Sequence, residues 1–438
     1  MKYKIITYGC QMNIHDSEVI SGVLEEKGYR PAKTLKESDV IVLNTCCIRE
    51  NAERKVYGRI SQLKLLKNKK HNLLIAITGC MIKQSHVVKH ILKNHPYVDL
   101  IFGIQNVHKL PKLIEKSNEV DFTLVDIEGE NTCIKEGMPI IRDDPKKAWV
   151  TINYGCNNFC SYCVVPYVRG REKSRNPENI LQEVEQLADN GYIEINLLGQ
   201  NVNSYGKDLE QPTTFPDLLR KINKVDKIQR IRFITSHPKD LSNDLIEAIR
   251  DCEKVCNHIH LPVQAGSNKI LKQMNRNYTK EDYMQIVKKL RLAVPDIAIT
   301  TDIIVGFPGE TEQDFQETID LIKQVEFDSA FTFIYSKRSG TRAAQMENQI
   351  DEEIKKDRLL RLMDIQDKIS LKKNIKLRGK ILEVLVEGRS KNNPKRLSGR
   401  SQTNKLVNFE GSKDLIGKLV NVKITTPRTW SLIGTIKG

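Results

Sequence analysis

Strand-like apolar runs alternate with amphipathic helical runs through residue 335, and this alternation restricts the fold more than any other feature of the chain. The first part contains four strand patterns and two clear helical patterns, at residues 2–8, 39–44, 73–78 and 98–102 and at residues 17–27 and 51–66. Alternation at this spacing is typical of a parallel sheet with helices on both faces. We therefore predict an α/β chain that begins with a doubly wound parallel-sheet domain.

The alternation resumes after a polar, poorly periodic stretch around residues 128–147, which we interpret as a linker. Six further strand patterns follow, at residues 149–154, 193–198, 230–235, 258–263, 297–305 and 330–335. Six strands with helices between them predict a full or partial βα barrel.

The last part of the chain has a different pattern. A charged helical run at residues 352–373 leads to short β-like runs broken by glycine, at residues 381–386, 406–409, 419–424 and 430–436. Short strands of this kind predict a small β-barrel.

Positive charge is concentrated at the same end. Residues 372–438 hold sixteen Lys and Arg against four Asp and Glu, which is +12 of the chain's net +15. A merely soluble surface would not need its charge at one end, so the pattern favours a polyanionic partner, in particular nucleic acid.

The sequence contains no apolar run near the roughly 20 residues of a membrane span, and it begins directly with a strand pattern rather than a signal peptide. We expect a cytoplasmic protein without a membrane partner. Cytosolic thiols stay reduced, so metal ligation is the leading explanation for any of the ten cysteines that form a pattern.

Three cysteines follow directly on the first predicted barrel strand: Cys156, Cys160 and Cys163, here called the central triad. Three thiolates on one loop can hold three irons of a 4Fe–4S cluster and leave the fourth iron open to a cofactor. A zinc knuckle would want a fourth Cys or His nearby, and none follows within the next 70 residues. The spacing resembles that of the radical S-adenosylmethionine (SAM) superfamily, so the triad is also our catalytic prediction.

Other polar and glycine residues lie at predicted strand ends and suit a SAM site. Glycine permits close backbone approach to a ligand, and amides can hydrogen-bond the ribose or amino acid part of SAM. Ordinary strand-end turns would look the same. The predicted cofactor-binding residues are Tyr162, Gly199, Gln200, Gln264 and Asp302.

A second set, Cys10, Cys46 and Cys80, is here called the N-terminal triad. Each member lies where a predicted strand ends, and the spacings are 36 and 34 residues. The carboxyl ends of parallel strands meet at one edge of a sheet, so we predict that these cysteines converge as ligands of a second cluster. The alternative is three buried, small apolar side chains.

The other four cysteines do not complete a site. Cys47 is expected to face away from Cys46 if the strand alternation continues. Cys133 falls in the predicted linker, and Cys252 and Cys256 offer only two ligands near a helix end. We interpret all four as bystanders.

Nearly the whole chain resembles the methylthiotransferase family of radical SAM enzymes. The motifs that carry the resemblance are Tyr-Gly-Cys-Gln-Met-Asn at residues 8–13, Asn-Thr-Cys-Cys-Ile-Arg-Glu-Asn-Ala at 44–52, Gly-Cys at 79–80, the run from Cys156 through Val-Val-Pro-Tyr-Val-Arg-Gly-Arg at 164–171, and Gly-Gln-Asn-Val-Asn-Ser-Tyr-Gly at 199–206. The resemblance implies a methylthiotransferase domain with an auxiliary 4Fe–4S cluster at residues 1–117, a linker at 118–145, a radical SAM domain at 146–371 and an RNA-binding TRAM barrel at 372–438.

The family's reaction uses SAM twice, once as methyl donor to sulfur and once as radical source. By resemblance, the substrate is carbon 2 of N6-isopentenyladenosine at position 37, in the anticodon stem-loop of tRNA. An external electron donor and sulfur source are implied, and we expect a monomer. RNA contacts are expected at Arg389, Lys391, Arg428 and Trp430.

Three alternatives remain open. Within the family, the substrate could be threonylcarbamoyl-adenosine of tRNA or an aspartate of a ribosomal protein, although the motifs at 8–13 and 199–206 favour the isopentenyl-adenosine type. Outside it, the chain could be a non-catalytic RNA-binding iron–sulfur protein. The open-iron spacing of the central triad argues against that.

Overall fold

A computed structural model describes residues 1–47, 50–129 and 136–437. The first unit is a six-stranded, all-parallel sheet in the order β2-β1-β3-β4-β5-β6. Its elements are β1 (Lys2–Thr7), α1 (Gln11–Glu26), β2 (Arg30–Pro31), β3 (Val40–Thr45), α2 (Glu50–Lys69), β4 (Leu74–Gly79), α3 (Ser85–Asn94), β5 (Leu100–Phe102), α4 (Leu110–Ser117) and β6 (Leu124–Asp126).

Helices cover both faces of this sheet. Because side chains alternate along a strand, Ile41 and Leu43 of β3 pack towards α2 and α3, whereas Val40 and Val42 pack towards α1 and α4. The predicted doubly wound sheet is confirmed. The sheet also extends past residue 117, where we place the start of the linker, since β6 pairs with β5.

The central unit is an open barrel of six parallel strands. Two three-stranded sheets, β7-β10-β11 and β12-β13-β14, are joined where Ile231 pairs with Val255. The elements are β7 (Lys147–Thr151), β8 (Asn153–Tyr154), α5 (Val165–Val168), β9 (Lys173–Ser174), α6 (Pro177–Asp189), β10 (Glu194–Leu198), α7 (Phe215–Asn223), β11 (Arg230–Phe233), α8 (Asn243–Asp251), β12 (His258–His260), α9 (Asn268–Gln273), α10 (Lys280–Ala293), β13 (Ala298–Val305), α11 (Glu312–Val325) and β14 (Ser329–Ile334). The partial barrel is confirmed.

Helix α12 (Glu352–Ile375) connects the open barrel to a closed barrel of five strands. These are β15 (Ile381–Ser390), β16 (Asn393–Ser401), β17 (Leu406–Glu410), β18 (Leu419–Pro427) and β19 (Leu432–Ile436). The apolar patterns predicted four of the five. Strand β16 has the sequence Asn-Pro-Lys-Arg-Leu-Ser-Gly-Arg-Ser, which lacks the apolar alternation of a strand. Within the described residues no helix is long and apolar enough to span a bilayer.

Candidate iron–sulfur sites

The N-terminal triad lies along one edge of the first sheet. Cys10 caps the start of α1, Cys46 directly follows β3, and Cys80 directly follows β4. Gly9 has a left-handed φ of +121°, and a Cβ on it would lie 2.7 Å from the Cβ of Cys46. The chain before Cys10 therefore rests against Cys46 and tolerates no larger residue.

Hydrogen bonds hold the other members of this triad together. The Cys80 N–H donates to the Thr45 carbonyl across 2.9 Å, which fixes Cys80 beside the residue before Cys46. The buried Asn13 amide donates to the same carbonyl across 3.0 Å, and the Cys10 thiol lies 3.5 Å from Asn13 Oδ1. The predicted convergence of three strand ends is present in the structure.

The Cys80 thiol accepts hydrogen bonds from two side chains. The Cys47 thiol hydrogen-bonds to it, and Arg169 Nε donates to its Sγ across 3.0 Å. The Cys47 hydrogen bond and the Arg169 charge outweigh burial and lower the pKa of Cys80 to about 6. A thiol that ionises readily is suited to ligate iron, because the thiolate is the ligand.

The expected orientation of Cys47 is wrong. Its thiol contacts Cys80 instead of pointing away from the site, and this hydrogen bond, with burial, raises the pKa of Cys47. Strand β3 ends at Thr45, so the alternation on which we based the expectation no longer holds at Cys47. Cys133 lies outside the described residues, while Cys252 and Cys256 are buried.

The central triad lies on the loop after β8, at the carboxyl end of the barrel. Phe159 adopts a left-handed φ of 45° there. The Asn275 amide donates to the carbonyls of Asn158 and Phe159, at 3.1 and 2.9 Å, and holds this turn. The Ser161 hydroxyl donates to the Gln273 carbonyl across 2.8 Å. The loop is thus fixed to the segment after α9 by side chains as well as backbone.

Arg276 connects this loop to the end of β12. Its Nη1 lies 3.5 Å from the Cys160 Sγ, and its Nη2 donates to the Pro262 carbonyl across 2.9 Å. Burial raises the pKa of Cys156, and that of Cys163 to about 12. Iron binding would displace these thiol protons.

Neither triad is grouped so that it could hold a single metal ion as the side chains stand. In the described part of the chain, no three His, Cys, Asp or Glu side chains are grouped so that they could hold one metal ion. In a cluster each thiolate binds a different iron, so its ligands stand further apart than those of a mononuclear zinc.

Unpaired polar atoms line one side of the barrel mouth, beside the central triad. Seven buried side-chain atoms in β8, directly before β9, and after β10 and β11 have no hydrogen-bond partner among the described residues: Asn153 Oδ1, Glu172 Oε1, Gln200 Oε1, Asn201 Oδ1, Asn203 Oδ1, Ser236 Oγ and His237 Nε2. Buried polar groups are normally paired, so this concentration fits a polar ligand such as SAM.

The predicted cofactor residues divide between two sides of this mouth. Gln200 is on the unpaired side, and Gly199 permits close strand packing, because a Cβ there would lie 1.7 Å from Asn153 Oδ1. On the other side, the Gln264 N–H donates to the Asp302 carbonyl across 2.9 Å. Tyr162 is half-buried in the loop, and burial raises the pKa of its phenol.

Sequence reasoning missed several polar residues of the mouth. His237 accepts a hydrogen bond at Nδ1 from the Lys239 N–H, so the neutral ring carries its proton on the unpaired Nε2. Burial and Arg276 lower the pKa of His237 to about 2, which keeps it neutral. Neither His237 nor Arg276 stands in a recognisable local pattern; their role depends on the tertiary fold.

The four predicted RNA contacts are exposed but do not form one patch. Arg389 and Lys391 lie at the β15–β16 turn, whereas Arg428 and Trp430 lie at the β18–β19 turn. Because β15 and β18 are antiparallel, with Ile381 opposite Lys423, these turns lie at opposite ends of the barrel. Trp430 also donates its indole N–H to Asp367 of α12 across 3.0 Å.

The fold and the central triad define a radical SAM protein with an RNA-binding module. The model of the Radical SAM superfamily matches residues 150–322, that of Uncharacterized protein family UPF0004 matches residues 2–103, and that of the TRAM domain matches residues 376–437.

Curated relatives specify the family. The tRNA-2-methylthio-N(6)-dimethylallyladenosine synthase of Thermoanaerobacter pseudethanolicus is 57% identical over 99% of this chain and 92% of its own length. The synthase of the same name from Clostridium botulinum is 55% identical over 99% of this chain and 96% of its own length. This chain belongs to that family of tRNA-methylthiolating radical SAM enzymes, which use SAM and 4Fe–4S clusters.

Solved structures agree at the level of the fold. TsrM from Kitasatospora setae, a radical SAM methyltransferase solved with cobalamin and a 4Fe–4S cluster, is 14% identical, with a TM-score of 0.56 over 78% of this chain and 76% of its own. The cobalamin-dependent radical enzyme OxsB is 12% identical, with a TM-score of 0.54 over 84% of this chain and 56% of its own.

Proposed function

We propose that this chain methylthiolates carbon 2 of N6-isopentenyladenosine at position 37 of tRNA. In this proposal the central triad holds the radical SAM cluster and the N-terminal triad holds the auxiliary cluster. When bound, SAM and the clusters supply a hydrogen-abstracting radical, a methyl group and sulfur, which the replacement of an aromatic C–H by a methylthio group requires. The electron donor and sulfur source are external, and the chain acts as a monomer.

The observation that carries the proposal is the link between the two triads through residues 169 and 170. The Cys156 N–H donates to the Gly170 carbonyl across 3.2 Å. Arg169, the residue before Gly170, donates from Nε to Cys80 Sγ across 3.0 Å. Residues 169 and 170 therefore link the two triads at the junction of the sheet and the barrel. This link supports the proposal that one bound base meets both the radical source and the sulfur source.

The chain's own residues would orient the reactants. The unpaired atoms of the barrel mouth, including Gln200 Oε1 and His237 Nε2, offer hydrogen bonds to SAM on the side of β8, β10 and β11. The family relationship and the TRAM module support tRNA binding. Binding both reactants in one site lowers the activation free energy of the reaction, because their positional entropy is already lost on binding.

The test combines anaerobically reconstituted protein, reductant, a sulfur source, SAM and isopentenylated tRNA. Mass spectrometry of the nucleosides should show the 2-methylthio product, and tRNA that carries threonylcarbamoyl-adenosine should show none. Replacing the N-terminal triad with Ala should abolish the product and preserve 5′-deoxyadenosine formation, whereas replacing the central triad should abolish both. Methylthiolation by the N-terminal triad variant would refute the proposed division of labour.

A further inference from the structure

Arg169 follows the central triad in sequence, and its side chain contacts the N-terminal triad, the proposed site of the auxiliary cluster. It follows α5, whose Val168, together with the preceding Val164, packs into the apolar core of the N-terminal sheet. The Arg169 N–H donates to the Val165 carbonyl across 2.8 Å, so its backbone is fixed. The residue is only 8% exposed although its side chain carries a permanent charge.

Two of its three nitrogens have defined partners. Nε donates to Cys80 Sγ across 3.0 Å, and Nη2 donates to Asp16 Oδ2 across 2.8 Å. Asp16 is itself 4% exposed. Burying such a pair is costly, and an ordinary structural role could be filled by apolar packing at lower cost.

The third nitrogen, Nη1, is buried and has no hydrogen-bond partner in the ranges that the structure describes. A buried unpaired donor costs free energy unless something absent from the polypeptide accepts its hydrogen bond. It belongs to the same guanidinium that contacts Cys80, so a sulfur of the auxiliary cluster is a chemically suitable acceptor.

We propose that Arg169 is a positioning residue that tunes the auxiliary cluster by donating hydrogen bonds to its sulfur atoms while Asp16 holds the guanidinium in place. The inference rests on the proposed auxiliary site at the N-terminal triad. Hydrogen bonds to the sulfurs and nearby charge set the potential of an iron–sulfur cluster. A fixed cation beside Cys80 favours the reduced, more negative form and so raises the reduction potential.

The two buried partners should then have opposite effects. Arg169→Met removes the cation and should make the potential of the auxiliary cluster more negative. Asp16→Asn keeps a hydrogen-bond acceptor but removes an anion, and should make the potential more positive. Arg169→Lys keeps the charge without the planar fork and should fall between wild type and Arg169→Met. A merely structural disturbance would not shift the reduction potential in opposite directions in the Arg169 and Asp16 variants.

The matched control is Arg171, two residues further on. Its side chain is exposed and its guanidinium lies 4.4 Å from the ring centre of Phe159, on the radical SAM loop. Arg171→Met removes the same charge from the same segment without touching Cys80. The potential of the auxiliary cluster should stay at the wild-type value in this variant.

The experiment uses the full chain with the central triad replaced by Ala, so that only the auxiliary cluster is present. Each variant is reconstituted, its iron is counted, and its potential is measured by a reductive titration followed by EPR and absorbance. Opposite shifts for Arg169→Met and Asp16→Asn support the inference. If Arg169→Met fails to hold iron, Asp16→Asn and Arg169→Lys decide.

Failure of the proposed auxiliary site and failure of the role proposed for Arg169 give different results. A parent protein without iron would overturn the auxiliary site and this inference with it. An intact cluster whose potential is unchanged, or shifts in one common direction with the Arg171 control, would overturn this inference alone.

Discussion

Arg230 of the open barrel donates from Nη1 to the backbone carbonyl of Arg400 in the closed barrel across 2.8 Å. Its Nη2 donates to the carbonyl of Glu383 across 3.0 Å and to its carboxylate across 2.9 Å. Arg230 is 1% exposed. This buried guanidinium therefore helps to fix the closed barrel against the open barrel, together with Arg232, which donates to the carbonyls of Ser401 and Gln402.

Replacing Arg230 with Met should weaken this junction by about 3 kcal/mol, because carbonyls that it pairs lose their donor. Trp430 reports on the closed barrel, so its fluorescence during urea unfolding, in a Trp149→Phe background, measures the effect. Lys368→Ala, which removes an exposed pair within α12, should cost no more than about 0.5 kcal/mol. Equal midpoints for Arg230→Met and its parent would contradict the assignment.

The positive charge of the closed barrel should appear in the salt dependence of tRNA binding. The logarithm of the binding constant decreases linearly with the logarithm of the salt concentration. The line becomes less steep by roughly 0.9 for each duplex phosphate that a variant no longer neutralises. Arg389→Ala with Lys391→Ala tests one end of the barrel, and Arg428→Ala tests the other. Binding measured from low to moderate salt will show which end contacts RNA; unchanged slopes for both would exclude all three predicted basic contacts.

Iron content should separate the two triads from Cys47. Reconstituted wild type should hold about eight irons, and either triad replaced with Ala should hold about four. Cys47→Ala should keep about eight, because we assign Cys47 to a hydrogen bond on Cys80 and not to iron. Loss of a cluster from Cys47→Ala, with retention in Cys46→Ala, would show that the ligand is the neighbouring cysteine.

The sequence predicts the elements whose periodicity is local and fails where tertiary contacts decide. Strand β3 is apolar throughout most of its length and buried on both faces, so its position and the strand-end location of Cys46 were predictable. The orientation of the Cys47 side chain was not predictable, because it depends on where β3 ends relative to β4. Nor was β16 predictable, because two of its three buried inward positions are occupied by Gly399 and Ser401 and not by large apolar residues.

The candidate site divides in the same way. The spacing of the central triad is a local signal, and the strand-end rule placed the N-terminal triad. Arg276 is 116 residues from Cys160 in sequence, and Arg169 is 89 from Cys80, yet both contact those thiols. No pattern in one sequence reveals contacts over such separations; the fold creates them.

The Glu172 carboxyl makes stability depend on pH in a direction that can be checked. Burial raises its pKa to about 7, from 4.5 for the ordinary group, even though Ser204 hydrogen-bonds to it. Between these values the folded chain keeps a proton that the unfolded chain releases, so the free energy of unfolding falls as the pH rises through this window. The Glu172→Gln variant has no carboxyl group at this position, so it releases no proton in this pH window.

Thermal unfolding of wild type and Glu172→Gln should therefore converge near the acid end of the window and diverge above it. The variant should gain stability relative to wild type between about pH 5 and about pH 8. Saturating SAM should change this difference if the ligand supplies a partner for the unpaired Oε1. A difference in unfolding temperature that is the same at both pH values would show that Glu172 is ionised in the folded protein, and that its carboxylate has a partner in solution.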